Sequence, residues 1–437
     1  MLPSKILACG FALACAAILG AQTDPGPRQP PPAGPGPGGP GGPAPAPAGQ
    51  AIRGLTAADM QAFLNGKNTF SEVETVASGL GPRFNLDSCA GCHAYPATGG
   101  ASPAVNPQIA VAVKNGAQNQ IPPFIHSNGP VHAVRFILGP NGQPDGGVRD
   151  LFVITGRTDA PAACNITQPD FSNPSNLSLR IPTPLFGLGL IESITDTTLK
   201  NNLAATAARR QALGIQGVFN INANDGTITR FGWKAQNKSL MLFSGEAYNV
   251  ELGVTNEMFP QEREENPACA TNSLPEDQIN FATGQPSDLE FFSIFMRLLA
   301  PSQPAPANPS TNNGQALFNS VGCTMCHTPT LQSGNSSYPA LSNQAVNLYS
   351  DLATHNMGTG LNDGVTQGLA SGQQWRSAPL WGLGDRLFLL HDGRTSDLVQ
   401  AILAHDSQGS EAHQVIQNYD ALSPNQKQDL LNFLRSL

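Results

Sequence analysis

The chain has 437 residues, 40% of them hydrophobic and only 12% charged, and its 31 acidic against 23 basic residues leave a net charge of −8. That length allows two domains. With no Lys/Arg cluster anywhere, the composition speaks against nucleic acid as a partner.

The N-terminus opens with Lys5, an apolar run from Ile6 to Gly20 and a small-residue end at Leu19-Gly20-Ala21. This reads as a signal peptide over 1–21, because the run is too short to span a membrane and no stop-transfer pattern follows. Ala12-Leu13-Ala14 is a poor lipid-attachment sequence for Cys15. Residues 22–50 are almost wholly Pro, Gly and Ala, and their composition predicts a disordered or semi-extended tether.

Thr56 caps a predicted helix over Ala57 to Leu64, and a second helical stretch is expected around Phe70 to Leu80. Then comes Cys89-Ala90-Gly91-Cys92-His93, and much later Cys323-Thr324-Met325-Cys326-His327. Each is a C-x-x-C-H, the attachment signature of a c-type haem. Two thiols a short turn apart add to the two vinyl groups of one porphyrin, and the histidine that follows becomes the proximal ligand of the iron. A zinc knuckle, a redox dithiol or a simple disulfide would explain one C-x-x-C, but not the abutting histidine twice over. The expectation is two covalently bound haems c, held by Cys89, Cys92 and His93 and by Cys323, Cys326 and His327. Such attachment takes place outside the bacterial cytoplasmic membrane, so the localisation expected is the periplasm or cell envelope.

Cys164 and Cys269 remain once the signal segment and the haem cysteines are set aside. In an oxidising compartment a disulfide between them is favoured over two free thiols. Between the first motif and Ser287 lie strand-like segments at Val131 to Leu138 and Leu151 to Thr155, and a hairpin signal at Asn224-Asp225-Gly226. Ser287-Asp288-Leu289-Glu290 is a capping box ahead of an apolar helix that stops at Pro301. Residues 301–311 read as a Pro-rich linker, and Asn313 to Phe318 opens a helix into Cys323. Ser423-Pro424-Asn425-Gln426 caps the final helix, whose apolar face is Leu430, Leu431, Phe433, Leu434 and Leu437.

The fold class expected is mainly α: two cytochrome c-like haem domains, 51–300 and 312–437, the first enlarged by a loop-rich, partly β insertion.

Four further strings carry a resemblance. Leu80-Gly81-Pro82-Arg83-Phe84-Asn85, Gly232-Trp233-Lys234-Ala235, Trp375-Arg376-Ser377-Ala378-Pro379-Leu380-Trp381-Gly382-Leu383-Gly384 and His391-Asp392-Gly393-Arg394 resemble the bacterial di-haem cytochrome c oxidoreductases. That family is related to the di-haem cytochrome c peroxidases and the methylamine-utilisation di-haem oxidases, and the likeness extends over essentially all of 51–437. It implies one haem for electron entry and one for peroxide chemistry. The expected function is therefore reduction of hydrogen peroxide at the N-terminal haem, with electrons entering through the C-terminal haem from a small redox protein, a cytochrome c or a cupredoxin. Two alternatives stay open. One is a non-peroxidase electron-transfer cytochrome; the other is an oxidase of a thiol, a sulfur compound or a protein side chain.

Residue by residue, the resemblance implies Glu251 in Asn249-Val250-Glu251-Leu252-Gly253 as acid/base, with Glu246 and Glu257 behind it. Trp233 resembles the tryptophan between the two haems of the relatives. For the sixth ligand of the second haem the choice lies between His405, which is preferred, and Met357. His126 and His132, then Tyr95 and Tyr248, are the candidates at the first haem. The relatives also hold calcium between domains; no acidic loop with suitable spacing is visible, and calcium stays open.

Overall fold

The computed structural model describes residues 22–28, 47–263, 266–270 and 272–437. The signal segment and most of the Pro/Gly/Ala stretch lie outside the described residues. The chain is mainly α, with short antiparallel strands. The longer helices are α1 (Ala57–Phe70), α2 (Asp196–Ala212), α3 (Leu240–Leu252), α4 (Asp288–Leu298), α5 (Pro309–Val321), α6 (Leu398–Leu403), α7 (His413–Asp420) and α8 (Pro424–Ser436).

Capping chemistry sets most helix starts. Thr56 and Asp59 satisfy each other's backbone donors at the start of α1, as do Ser423 and Gln426 at α8, while the Ser287 hydroxyl accepts from Glu290 N–H at α4. Two sequence expectations need correction. No helix runs over Phe70 to Leu80: α1 continues to Phe70, and Thr75 and Ser78 then cap a single 3₁₀ turn that ends at left-handed Gly79. Helix α5 begins inside the expected linker, because Asn308 and Thr311 form a capping box around Pro309 at the first helical position.

One helix pair recurs on each side of the chain. α1 crosses α4 where Gly66 meets the backbone of Phe291, and α5 crosses α8 where Gly314 meets the backbone of Asp429. A Cβ at either glycine would fall well inside contact distance of a carbonyl oxygen, so only glycine lets the helices come this close. Each crossing aims a phenylalanine at a motif histidine. The ring of Phe70 lies 6.0 Å from that of His93 and 4.9 Å from Phe295, while Phe318 lies 6.3 Å from His327 and 5.5 Å from Phe433. Aromatic packing at such spacing contributes about 1 kcal/mol per pair beyond area burial.

Three strands, β1 (Ala133–Phe136), β2 (Val148–Arg149) and β3 (Leu177–Arg180), form an antiparallel sheet in the order β2-β1-β3, with Arg135 opposite Ser178. They are shorter than the sequence suggests, as is the strand Phe152–Val153. At Asn224-Asp225-Gly226 only a single bridge, Ile221 to Ile228, flanks the turn. Behind the sheet, Phe84, Leu151, Phe152 and Ile154 fill a core that also buries the disulfide Cys164–Cys269. The largest core joins Phe63, Phe292 and Phe295 to Leu348, Leu352 and Trp381, so apolar packing runs across both sides of the Pro-rich segment.

Residues 22–28, expected as part of the tether, are fastened to the body. Asp24 receives both Arg435 Nε (2.8 Å) and Nη2 (2.6 Å), and Arg28 N–H donates to Gly384 O at 2.6 Å. Among the described residues, no helix is long and apolar enough to cross a membrane.

Candidate functional site

Two clefts carry the motif residues. The N-terminal one, with about 160 Å³ of space, is lined by Cys89, Cys92 and His93 together with Arg135, Trp233, Gln236, Glu246 and Glu251. The C-terminal one, about 220 Å³, is lined by Cys323, Cys326, His327, His405 and Met357 among largely apolar neighbours. The four motif cysteines form no disulfide, unlike Cys164 and Cys269. Burial pushes the thiols of Cys89 and Cys323 up to about 12, so both are apolar, protonated groups on the cleft walls.

Both motif histidines are oriented by the same device. His93 Nδ1–H donates to Gly100 O at 3.0 Å and His327 Nδ1–H to Tyr349 O at 3.1 Å, and the Thr183 backbone is a further partner of the His93 ring. A carbonyl partner on Nδ1 fixes the tautomer that a metal-ligating histidine needs. Burial pulls both rings down to about 4, so both are neutral at physiological pH.

His405 repeats the arrangement: it follows α6, and its Nδ1–H donates to Ala401 O at 2.7 Å. His405 is close enough to His327 to disfavour charge on its ring. Met357 lines the same cleft and packs against Leu361 and Trp375.

The sequence candidates at the first cleft separate clearly. Glu251 and Glu246 line it, whereas Glu257 is exposed and outside both clefts. Glu251 is held at the end of α3 by Asn85, whose Nδ2 donates to its Oε2 at 2.8 Å. Asn85 is itself fixed, since its Oδ1 accepts Leu151 N–H at 2.8 Å. Burial pushes the Glu251 carboxyl up, against the opposing pull of Asn85. Glu246 takes the amide of Asn237.

Tyr248 lines the cleft but commits its hydroxyl to Glu74 Oε1 at 2.8 Å. His126 is exposed and His132 points away, since alternate residues Val131, Ala133 and Arg135 face the cleft while His132 Nε2 lies 3.0 Å from Asp392 O. Tyr95 lines neither cleft. Among the described residues lining the N-terminal cleft, His93 is the one histidine.

Trp233 belongs to the walls of both clefts. Its Nε1–H donates to Ile181 O at 2.8 Å and its carbonyl accepts Arg376 N–H at 3.0 Å. The next residue, Lys234, is fully buried, with Nζ donating to Ser371 O (2.7 Å), Gly372 O (3.2 Å) and Gln374 O (3.0 Å), 3.2 Å from Asp363 Oδ1 and 3.9 Å from the Trp375 ring centre. That cage ties the tryptophan segment to the loop before Trp375. Burial, only partly offset by Asp363, pulls its ammonium down to about 8. No cluster of three His, Cys, Asp or Glu able to hold a metal ion occurs among the described residues.

Sequence reasoning gave no role to Arg135, Lys234, His355, Arg376, Arg386 or Glu411, all of which lie in or between the clefts. His355 is buried between Asp351 Oδ2 (3.1 Å) and Glu411 Oε2 (3.0 Å). Only the period-two alternation over 131–135 offered a usable signal, for Arg135.

The family model described as "Di-haem oxidoreductase, putative peroxidase" matches residues 144–437, a span that includes the second motif and stops short of the first. The match is thus narrower than the 51–437 suggested by sequence strings. No curated protein matches in sequence. Among solved structures, the chain is similar to hydrazine synthase of Kuenenia stuttgartiensis (20% identity, TM-score 0.24, 35% of this chain and 56% of that one). It is also similar to the dihaem peroxidase BthA of Burkholderia thailandensis (15% identity, TM-score 0.38, 86% of each chain). A third is a MauG-like protein associated with microbial copper homeostasis (17% identity, TM-score 0.29, 50% of this chain and 76% of that one). The chain spans little more than half of the hydrazine synthase chain that it matches. The chain belongs to the di-haem oxidoreductase family.

Proposed function

We propose that the chain is an exported di-haem peroxidase that reduces hydrogen peroxide in the N-terminal cleft with electrons entering through the C-terminal cleft. Each C-x-x-C-H motif would hold one haem c, through thioethers at Cys89 and Cys92 or Cys323 and Cys326, and through Nε2 of His93 or His327. The fit rests on thiols outside any disulfide beside an imidazole whose Nδ1 is already engaged, in two largely apolar clefts. When bound, the haems supply electron transfer and the iron at which the O–O bond breaks, the balance being hydrogen peroxide, two electrons and two protons to two waters.

The chain's own part is to move a proton. Glu251 is suited to accept it from one peroxide oxygen and return it to the other, because burial keeps its affinity for a proton high. Asn85 holds the carboxyl in one orientation for that transfer. Trp233, in the walls of both clefts, is the proposed electron relay. His405, rather than Met357, is the proposed sixth ligand of the C-terminal haem, because its Nδ1 is engaged as in the two proximal histidines. The repeated glycine crossings of α1 with α4 and α5 with α8 support two cytochrome c-like units. The donor would be a small periplasmic cytochrome c or cupredoxin.

One observation carries the reading: a buried carboxyl, Glu251, is fixed by Asn85 in a cleft whose one histidine is His93. The test is steady-state peroxide turnover by the loaded chain with a reduced cytochrome c as donor, together with cyanide binding at the N-terminal iron. Turnover and cyanide binding are expected. A chain that carries both haems yet binds no exogenous ligand would contradict the proposal and favour a plain electron carrier.

A further inference from the structure

Arg376 and Arg386 stand together in the wall of the C-terminal cleft, beside Trp233, and both also line a small space of about 20 Å³ that reaches Gly232 and Trp233. Arg376 is 8% exposed and spends Nε on Gly232 O at 3.0 Å. Arg386 donates one Nη2 hydrogen to Pro379 O at 2.8 Å, and its buried Nε has no partner. Among the described residues, neither guanidinium has a carboxylate at ion-pair distance; the adjacent Asp385 is engaged by Arg28 at 3.3 Å. Burial pulls both cations down to about 10; Arg386 further disfavours the charge on Arg376, and Asp385 only partly offsets the burial of Arg386.

Two neighbouring guanidiniums, one buried and one half-buried, with no anion at ion-pair distance are a costly arrangement. Other buried arginines of this chain are paired: Arg180 with Asp363 at 2.5 Å, and Arg435 with Asp24 at 2.6 Å. A guanidinium presents a planar fork that suits a carboxylate. The cleft they face already has a motif for a porphyrin, a macrocycle that carries two propionates.

We propose that Arg376 and Arg386 are the receptors for the propionate carboxylates of the C-terminal haem. This rests on the reading of Cys323-Thr324-Met325-Cys326-His327 as a haem site. Because Arg376 Nε also donates to Gly232 O and its backbone N–H to Trp233 O, the same residue links the propionate to the segment between the clefts. The cations stabilise the more negative, reduced haem, so they set its potential as well as its seat.

The experiment is redox potentiometry of the loaded full-length chain and of Arg376→Gln, Arg386→Gln and Arg386→Lys, with haem content measured first by pyridine haemochrome. Each Gln variant should lower the midpoint potential of the C-terminal haem and leave that of the N-terminal haem in place, while Arg386→Lys stays nearer the parent. Redox-difference infrared spectra of the parent chain carrying ¹³C-labelled propionates should show label-sensitive carboxylate bands that move in Arg386→Lys. This spectrum decides the matter even where a Gln variant fails to load haem. Two haems per chain with unchanged potentials and unmoved bands would overturn the propionate assignment alone. A shift of the parent potential on adding sulfate at constant ionic strength would also overturn it, by showing a guanidinium pair open to free oxyanions. Fewer than two haems per chain would instead remove the haem reading on which the assignment rests.

Discussion

Asn85 and Glu251 clamp one another from two distant parts of the chain. Asn85 N–H donates to Glu251 O at 2.7 Å while Asn85 Nδ2 donates to Glu251 Oε2 at 2.8 Å. A carboxyl gripped at backbone and side chain together holds one orientation toward the cleft of Cys89 and Cys92. Replacing Glu251 with Gln keeps shape and removes the proton acceptor. Peroxide turnover should fall by about 10²–10⁴-fold, the ordinary contribution of a general acid/base, with haem content unchanged. Stopped-flow mixing of the reduced chain with peroxide measures it, and a loss below tenfold would remove Glu251 from the proton path.

Trp233→Phe removes the indole N–H that reaches Ile181 O, at a cost of about 1 kcal/mol in stability. As a relay, its loss should slow electron transfer between the clefts while leaving the spectrum of each haem as in the parent. Flash reduction of the C-terminal haem, followed by the rate at which the N-terminal haem is reduced, reads this directly.

At the C-terminal cleft His405→Ala and Met357→Ala separate the two candidates for the sixth ligand. Loss of His405 should convert the second haem to a high-spin or open form, and loss of Met357 should leave it low-spin. Paramagnetic resonance of the oxidised chain gives the answer, and the opposite pattern would assign Met357.

Gly66→Ala and Gly314→Ala should each destabilise by more than the ~1 kcal/mol that alanine gains over glycine in a helix, because the added methyl meets the backbone of Phe291 or Asp429. A net loss of about 1–3 kcal/mol in thermal or denaturant unfolding is expected. The loss should come with weaker retention of the ring packing around His93 or His327.

Asp277 gives a pH signature. Burial pushes its carboxyl up to about 6 although Asp288 and Leu289 N–H groups donate to it at 2.8 and 2.9 Å. An acid whose folded pKa is raised favours the folded state below its ordinary pKa, and that contribution is lost as pH rises through the folded value. Stability from this group should therefore fall between about pH 4 and 6, by roughly 2–3 kcal/mol at most. In Asp277→Asn the melting temperature should change less across that interval, and an unaltered slope would discount the effect.

Much of this was legible in the sequence because it is local. The caps at Thr56, Ser287 and Ser423, and the two C-x-x-C-H turns, involve residues a few positions apart. What failed was local competition or tertiary. Thr75 and Ser78 satisfy each other and end the helix expected over Phe70 to Leu80, and Asn308 starts α5 within a Pro-rich run that masks its capping box. Glu257 and Glu251 look alike in sequence, and only the end of α3 turns one into the cleft and leaves the other exposed. The oxygen cage around Lys234 and the Arg376–Arg386 pair depend on chain segments more than a hundred residues apart, or on a cleft wall, so spacing alone could not reveal them.

Haem bonded at both cysteine pairs underlies the proposed peroxidase, and the intact mass of the purified chain tests it most directly. Two haem masses per polypeptide are expected, one lost in Cys89→Ser/Cys92→Ser and the other in Cys323→Ser/Cys326→Ser. A parent chain with one haem or none, or a double variant that keeps both, would contradict it.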